Sequence, residues 1–215
     1  MSKKILTGES DSEVIAILNR YKCPTPFHEV RTIFMGNIAS PVLDTAPMAA
    51  VKQLWHGEVP AFDSMDDANE LLTVLMEGLW NRLTEFQSDD HPFKLLLIEG
   101  EQTRDGLKHF ALVRRQELDG FVAGLFGSHE EIDLPEGAHV ALGLLSEIRS
   151  MLGGTVDLLD DKSKAATPYD IKGLLKNFQH ITIIAEAEIN KAIISCKRSR
   201  NRSFQTMPAT KPTLH

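Results

Sequence analysis

The stretch SMDDANELLTVLMEGLWNRLTEF, residues 64–86, decides the fold. Its apolar side chains, from Met65 and Ala68 through Leu71, Leu72, Leu75, Met76, Leu79, Trp80 and Leu83 to Phe86, recur in steps of three and one. That rhythm lays them along one broad stripe of a helix with a 3.6-residue period. Ser64 stands at the N-cap position, and Asp67 in the first turn complements the positive helix end. A helix carrying such a stripe has to be covered, so the stretch predicts a body of packed helices around it.

The segments on either side extend the same pattern. Helices are expected over 12–20, with Ser10 and Glu13 as a capping box; over 27–38, ended by Ser40-Pro41; and over 47–56, opened by Thr45 and Pro47. Residues 93–98 form a short apolar run that reads as strand or helical turn; the turn is favoured because the chain shows no convincing partner strand. A longer helix is expected over 107–126. Its glycines Gly120, Gly124 and Gly127 each cost about 1 kcal/mol relative to alanine, which calls for close approach of another helix or, alternatively, a backbone-lined ligand groove. Asp133 and Pro135 open a helix over 136–152, with Val140, Leu144, Leu145, Ile148 and Leu152 inward, closed by Gly153-Gly154. From Thr167-Pro168 a last helix carries Ile171, Leu174, Phe178, Ile181 and Ile189 in a nearly heptad stripe, suited to docking on the body or on a partner.

The fold class that follows is all-α: a single multi-helix domain, orthogonal or bundle-like, with a long C-terminal helix. Residues 1–152 form the helical domain, 153–167 a loop, 168–196 the C-terminal helix, and 197–215 a basic tail expected to be disordered in isolation. At 215 residues the chain can bury a true core without disulfides or metals. No apolar run reaches the roughly 20 residues that span a bilayer, and Met1 to Ser10 lacks the apolar centre of a secretory signal. Together with two widely spaced cysteines, Cys23 and Cys196, this predicts a cytoplasmic protein with no membrane association.

Charge divides the chain. Six of its 23 basic residues lie after Glu188, where no acid follows, leaving 17 bases against 30 acids in the first 190 residues. An acidic body repels nucleic acid, whereas Lys197, Arg198, Arg200 and Arg202, followed by Phe204, read first as a solvated run or one that folds back onto the body, and alternatively as a patch that meets phosphates with an aromatic beside it. Candidate partners are therefore another protein on the apolar stripe, a second copy of the chain, and RNA, DNA or a ribosome on the basic tail.

The order of several motifs resembles the YecA/YgfB-like family of bacterial helical proteins. They are the small-residue helix end before Ser40-Pro41; Leu54-Trp55-His56-Gly57; Pro60-x-Phe62; Leu71-Leu72-x-x-Leu75-Met76-x-x-x-Trp80-Asn81; and Gly120-Phe121-x-x-Gly124 followed by a helix after Pro135. The resemblance implies an all-helical fold with a regulatory or interaction role and supplies no catalytic residue. Two features depart from the family. Its early Leu-Asp-Gly motif is replaced by Val30-Arg31-Thr32-Ile33-Phe34, with Leu118-Asp119-Gly120 only in the later helix. The cysteine-rich, SecA-like metal-binding tail of some members is replaced by Cys196 and the basic run.

Catalytic signatures are missing. There is no Gly-x-Ser-x-Gly elbow, no His-Glu-x-x-His pair and no phosphate-binding glycine loop, so no catalytic residue, metal or cofactor is assigned. The densest group of potential ligands, His129-Glu130-Glu131-x-Asp133, reads as a solvated loop capping the next helix, because neighbours on one short loop rarely converge on an ion. Trp55 and Trp80 read as core aromatics, the alternative being a pocket lined with Asn81, and Asn81 reads either as a polar partner for an indole N–H or as a cap for a neighbouring loop. The function expected is that of a non-enzymatic interaction or regulatory protein; the alternative is a nucleic-acid or ribosome-associated protein.

Overall fold

The computed structural model describes residues 5–6, 9–42, 47–161 and 168–206. It is all-helical apart from two-residue strands: α1 (Glu9–Arg20), α2 (Phe27–Ala39), α3 (Pro47–Leu54), α4 (Met65–Leu72), α5 (Asn81–Thr84), α6 (Arg104–Phe126), α7 (Glu136–Asp160) and α8 (Pro168–Thr206). A π-helical segment, Thr73–Trp80, joins α4 to α5 without a break, so 65–84 is one continuous rod. The Ser64 hydroxyl accepts the Asp67 backbone N–H at 3.1 Å and starts it. The buried stripe is Leu71, Val74, Leu75, Leu79 and Leu83, while Met65 is open to solvent. Trp80 stays half-buried, edge-on to Phe34 with ring centroids 5.3 Å apart.

The most deeply buried helix is a different one. Every residue of α2 from Thr32 to Ala39 is buried, with α6 packed along it. Pro26 at its N-cap and Pro41 just beyond its end define its length. α7 and α8 pack on each other and on α6, closing the core from the other side. One core includes Phe34, Leu75, Phe121, Leu145 and Ile189, so the described chain forms a single domain.

Several sequence expectations are corrected. α1 begins at Glu9, so Ser10 lies inside the helix and does not cap it. Residues 93–98 are extended, and Leu97–Ile98 (β4) pairs antiparallel with Ile5–Leu6 (β1). A two-residue partner strand is too short to show alternation in the sequence. Gln87–Ser88 (β2) and His91–Pro92 (β3) close a small hairpin before this run. α6 starts earlier than expected, at Arg104, because the Thr103 hydroxyl accepts the Gly106 N–H at 2.9 Å.

α7 runs through Gly153-Gly154 to Asp160 and does not stop at Leu152. Two glycines cost about 2 kcal/mol in a helix, but burial of Val156 and Leu159 offsets this. Arg104 then serves the exposed helix end, donating to Leu159 O at 2.8 Å and Asp161 O at 2.6 Å. On α7, Val140 points outward, 55% exposed, and the inner face is Ala138, Ala141, Leu145, Ile148 and Leu152. α8 continues through the basic run to Thr206, so residues 197–206 are helix and not a disordered tail. Thr45, Thr167 and residues 207–215 lie outside the described residues.

Candidate functional site

The crossing of α2 and α6 is made of absent side chains. A Cβ on Gly124 would stand 2.0 Å from Ile33 O, one on Gly36 2.2 Å from Phe121 O, and one on Gly120 2.5 Å from Thr32 Oγ1. Backbone therefore lies on backbone, and Gly120 and Gly124 are bare because α2 occupies the space their side chains would need. Beside the crossing, buried His28 meets Gln116 at 2.9 Å, and desolvation lowers the imidazole pKa.

The close approach brings the C-terminal ends of α2 and α6 together, with α3 across them. Asn37, only 4% exposed, donates its Nδ2 to Ile33 O at 3.0 Å and to Gln53 Oε1 at 3.2 Å. Gln53 in turn donates to Ala123 O at 3.0 Å, which ties α3 to α6. Between them opens a cavity of about 490 Å³ lined by Asn37, Ala49, Lys52, Gln53, Gly127 and Ser128, with His56 and Gly57 at its edge. Three lining residues have left-handed backbone: His56 at φ 57°, Gly57 at φ 102° and Gly127 at φ 58°. For His56, which has a Cβ, this costs roughly 1–2 kcal/mol. Gly127 ends α6 with its N–H on Ala123 O at 2.9 Å, and no basic residue occupies the last turn of α6. The end of that helix is capped instead by neighbours: Ala123 O takes Gln53 as well, the His129 N–H donates to Phe126 O at 3.0 Å, and the cation in the cavity lining is Lys52 of α3.

A second polar centre lies under the extended segment 93–96. Buried Glu117 accepts the Leu96 N–H at 2.9 Å and pairs with buried Arg114, whose Nε donates to Thr182 Oγ1 at 3.1 Å. Burial pushes the Glu117 carboxyl pKa up, opposed by the Arg114 guanidinium and the Leu96 N–H. Asn190 of α8 grips Phe93 at both its N–H (2.7 Å) and its carbonyl (2.9 Å), and Glu186 accepts the Leu95 N–H at 3.1 Å. Arg31 donates to Lys94 O at 3.3 Å and stands 5.3 Å from the Phe93 ring centre. Side chains thus give this strand-like segment the partners that a sheet would otherwise supply.

The stripe expected to receive a partner is spent inside the molecule. Ile171, Phe178 and Ile189 are buried, Leu174 and Ile181 half-buried, and Phe178 stacks on Phe110 at 6.1 Å. A heptad-like rhythm marks a face that needs covering, and here α6 and α7 cover it. The basic run is divided. Lys197 donates to Gln87 O at 2.7 Å; Arg200 donates to Ile38 O at 2.9 Å, Ser40 O at 3.1 Å and Gln87 Oε1 at 2.9 Å, serving the end of α2. Arg198, beside Asp89 at 3.6 Å, and Arg202 instead line a groove of about 480 Å³ with Lys191, next to Gly137 in the first turn of α7.

Trp55 is half-buried and donates its indole N–H to Tyr21 O at 3.1 Å, while Asn81 is exposed on α5 and does not act as an indole partner there. In the loop before α7, His129 is half-buried and Glu130, Glu131 and Asp133 face solvent. Among the described residues no three His, Cys, Asp or Glu side chains converge to hold a metal ion. The Cys196 thiol is fully buried, which pushes its pKa up to about 12, so it stays protonated and unreactive.

No family model, curated protein or solved structure matches this chain. The cavity at the three helix ends had no sequence signal of its own beyond Gly127. Its residues come from three elements that only the glycine crossing brings together.

Proposed function

We propose that this is a non-enzymatic interaction or regulatory protein of the cytoplasm whose partner is another protein, seated on the outer face of α7. The observation behind this reading is an aligned set of exposed apolar side chains: Val140 at 55%, Met151 at 41% and Leu158 at 45%. They recur at about three and then two helical turns, so they share one stripe on the solvent side of α7. Ile183 and Ile184 add exposed apolar surface on α8, which packs against α7. Scattered apolar residues on a surface are ordinary, whereas an aligned stripe marks a face that binds. The resemblance to the YecA/YgfB-like family points in the same direction. No described helix is long and apolar enough to cross a membrane, which fits a partner in solution.

The test is photo-crosslinking in native cells from a probe at position 140, with a probe at exposed Glu77 as control. A discrete protein should crosslink from the first position only and be lost with Met151→Glu, while the helical content of the variant is unchanged. Equal labelling from both positions would defeat the reading.

The groove lined by Lys191, Arg198 and Arg202 supports a second reading, a nucleic-acid contact. Arg198→Ala with Arg202→Ala should then weaken binding of a short single-stranded RNA and reduce its salt dependence by about two counterions. Absence of RNA binding by the full chain at low salt would remove it.

A further inference from the structure

The outer sides of α7 and α8 carry opposite charge. On α7, Glu136, Glu147 and Asp157 are exposed and have no ion-pair partner among the described residues, whereas Arg149 and Asp160 are spent on Asp119 and Lys108 of α6. On α8, Lys172 and Lys176 are exposed and have no ion-pair partner among the described residues either. The acids of α8 nearest its middle are occupied: Glu186 holds the Leu95 N–H and Glu188 takes Lys191 at 3.2 Å.

Apolar surface lies among these charges. Glu136, Val140, Glu147, Met151 and Leu158 follow one another at four, seven, four and seven residues, which keeps them on one line along α7. On α8, Ile183, Ile184 and Ala187 are exposed between Lys176 and Lys191. The two helices lie side by side and run in opposite directions: Gly137 faces Ser195, and Ile148 and Leu152 stand at the level of Ile181 and Ala185. α7 has 25 residues, about 37 Å, and two adjacent helices are about 20 Å wide, so the face offers on the order of 700 Å². A stable dimer uses about 800 Å² on each partner.

We infer that the occupant of the α7 face, taken as the binding surface proposed above, is a second copy of this chain, with α7 of each copy lying on α8 of the other. A two-fold axis along the helix pair keeps each residue at its level and makes the two contacts identical. Met151 then comes onto Ile183 and Ile184 of the second copy, and Asp157 onto its Lys176. The other face-to-face arrangement, α7 on α7, sets acid against acid and is disfavoured. An unrelated partner would need matching acidic and basic stripes of its own, which this chain already has.

The experiment is sedimentation equilibrium of the purified full chain at low salt, where exposed ion pairs count most. The parent chain should dimerise. Met151→Glu should weaken the dimer by about tenfold or more, because it places a charge in the apolar centre. Glu147→Lys with Asp157→Lys, and separately Lys172→Glu with Lys176→Glu, should each weaken it about tenfold. All four changes in one chain should restore the affinity to within about threefold of the parent, since the signs are exchanged and not lost. Every one of these residues is exposed, so the helical content by circular dichroism should be the same in all variants. A monomeric parent chain, a dimer that Met151→Glu leaves intact, or a fourfold variant as weak as either pair would overturn the inference. Crosslinking in cells from position 140 separates the two proposals. An adduct of twice the chain mass supports the second copy; an adduct with a different protein overturns it and leaves the α7 surface standing; no adduct removes both.

Discussion

Where α2 crosses α6 the chain joins two helices by leaving side chains out, and where α8 lies across residues 93–96 it joins elements by putting polar side chains in. At the crossing, Gly36 and Gly124 let backbones touch, where nothing is adjustable, and Gly120 leaves room for the Thr32 hydroxyl and Glu29. At this seam, Glu117 and Arg114 of α6 with Glu186 and Asn190 of α8 satisfy a strand's worth of backbone groups. The first contact is set by shape and the second by hydrogen bonding. They should fail differently, and a polar seam can be replaced by an apolar one in a way that a glycine contact cannot.

The largest loss should come from breaking the polar seam on one side only. Glu117→Ala leaves the Arg114 guanidinium and the Leu96 N–H buried without their acceptor, an expected cost of about 3–5 kcal/mol. Replacing both members, Arg114→Met with Glu117→Met, should cost clearly less than the single change, because the uncompensated charge goes with its partner. Urea denaturation of the three proteins measures both values. If the double variant is no better than the single one, the seam depends on its charges as strictly as the crossing depends on its glycines.

The crossing should respond to a single methyl group. Gly124→Ala would place a Cβ 2.0 Å from a backbone carbonyl, and no rotamer change can relieve a clash with backbone. The helices must separate, at an expected cost of about 1–3 kcal/mol and with Asn37 and Gly127 drawn apart. Gly143→Ala, on a face of α7 with nothing within 4 Å, should instead be neutral or stabilising, and so separates the steric effect from helix propensity. Equal denaturation midpoints for the two variants would show that the crossing is not tight.

How much of this could be read from the sequence depends on the range of the interaction involved. The rod over 65–84 was legible because its caps and stripe are local, as was the all-helical class. Gly120 and Gly124 signalled a close neighbour without naming it, since Gly36 lies in another helix. The stripe on α8 was legible as a face needing cover, but spacing carries no information on whether the cover is internal. The Gly153-Gly154 pair misled because its rescue, the Arg104 guanidinium on the end of α7, comes from a residue far away in sequence. The strand at Leu97–Ile98 was missed for a similar reason: its partner and the side chains that satisfy residues 93–96 are all distant. The cavity at Asn37 is the extreme case, as none of its three helix ends is unusual alone.

The smallest effect expected here belongs to Glu29, which sits on α2 at the edge of the crossing, its Cγ 3.0 Å from where a Gly120 side chain would begin. Burial, and then the negative charge of Asp119, raise its pKa above the ordinary 4.5. An acid whose pKa is higher folded than unfolded stabilises the fold fully below the unfolded value, and that contribution is lost as pH rises through the folded value. Glu29→Gln keeps the shape and removes the titration. Its stability should therefore match the parent protein below pH 4.5 and exceed it increasingly above, levelling off once the native carboxyl is ionised. Urea midpoints of both proteins measured from pH 4 to pH 8 give the curve. A constant difference across that range would mean that the crossing responds to the shape of residue 29 and not to its charge.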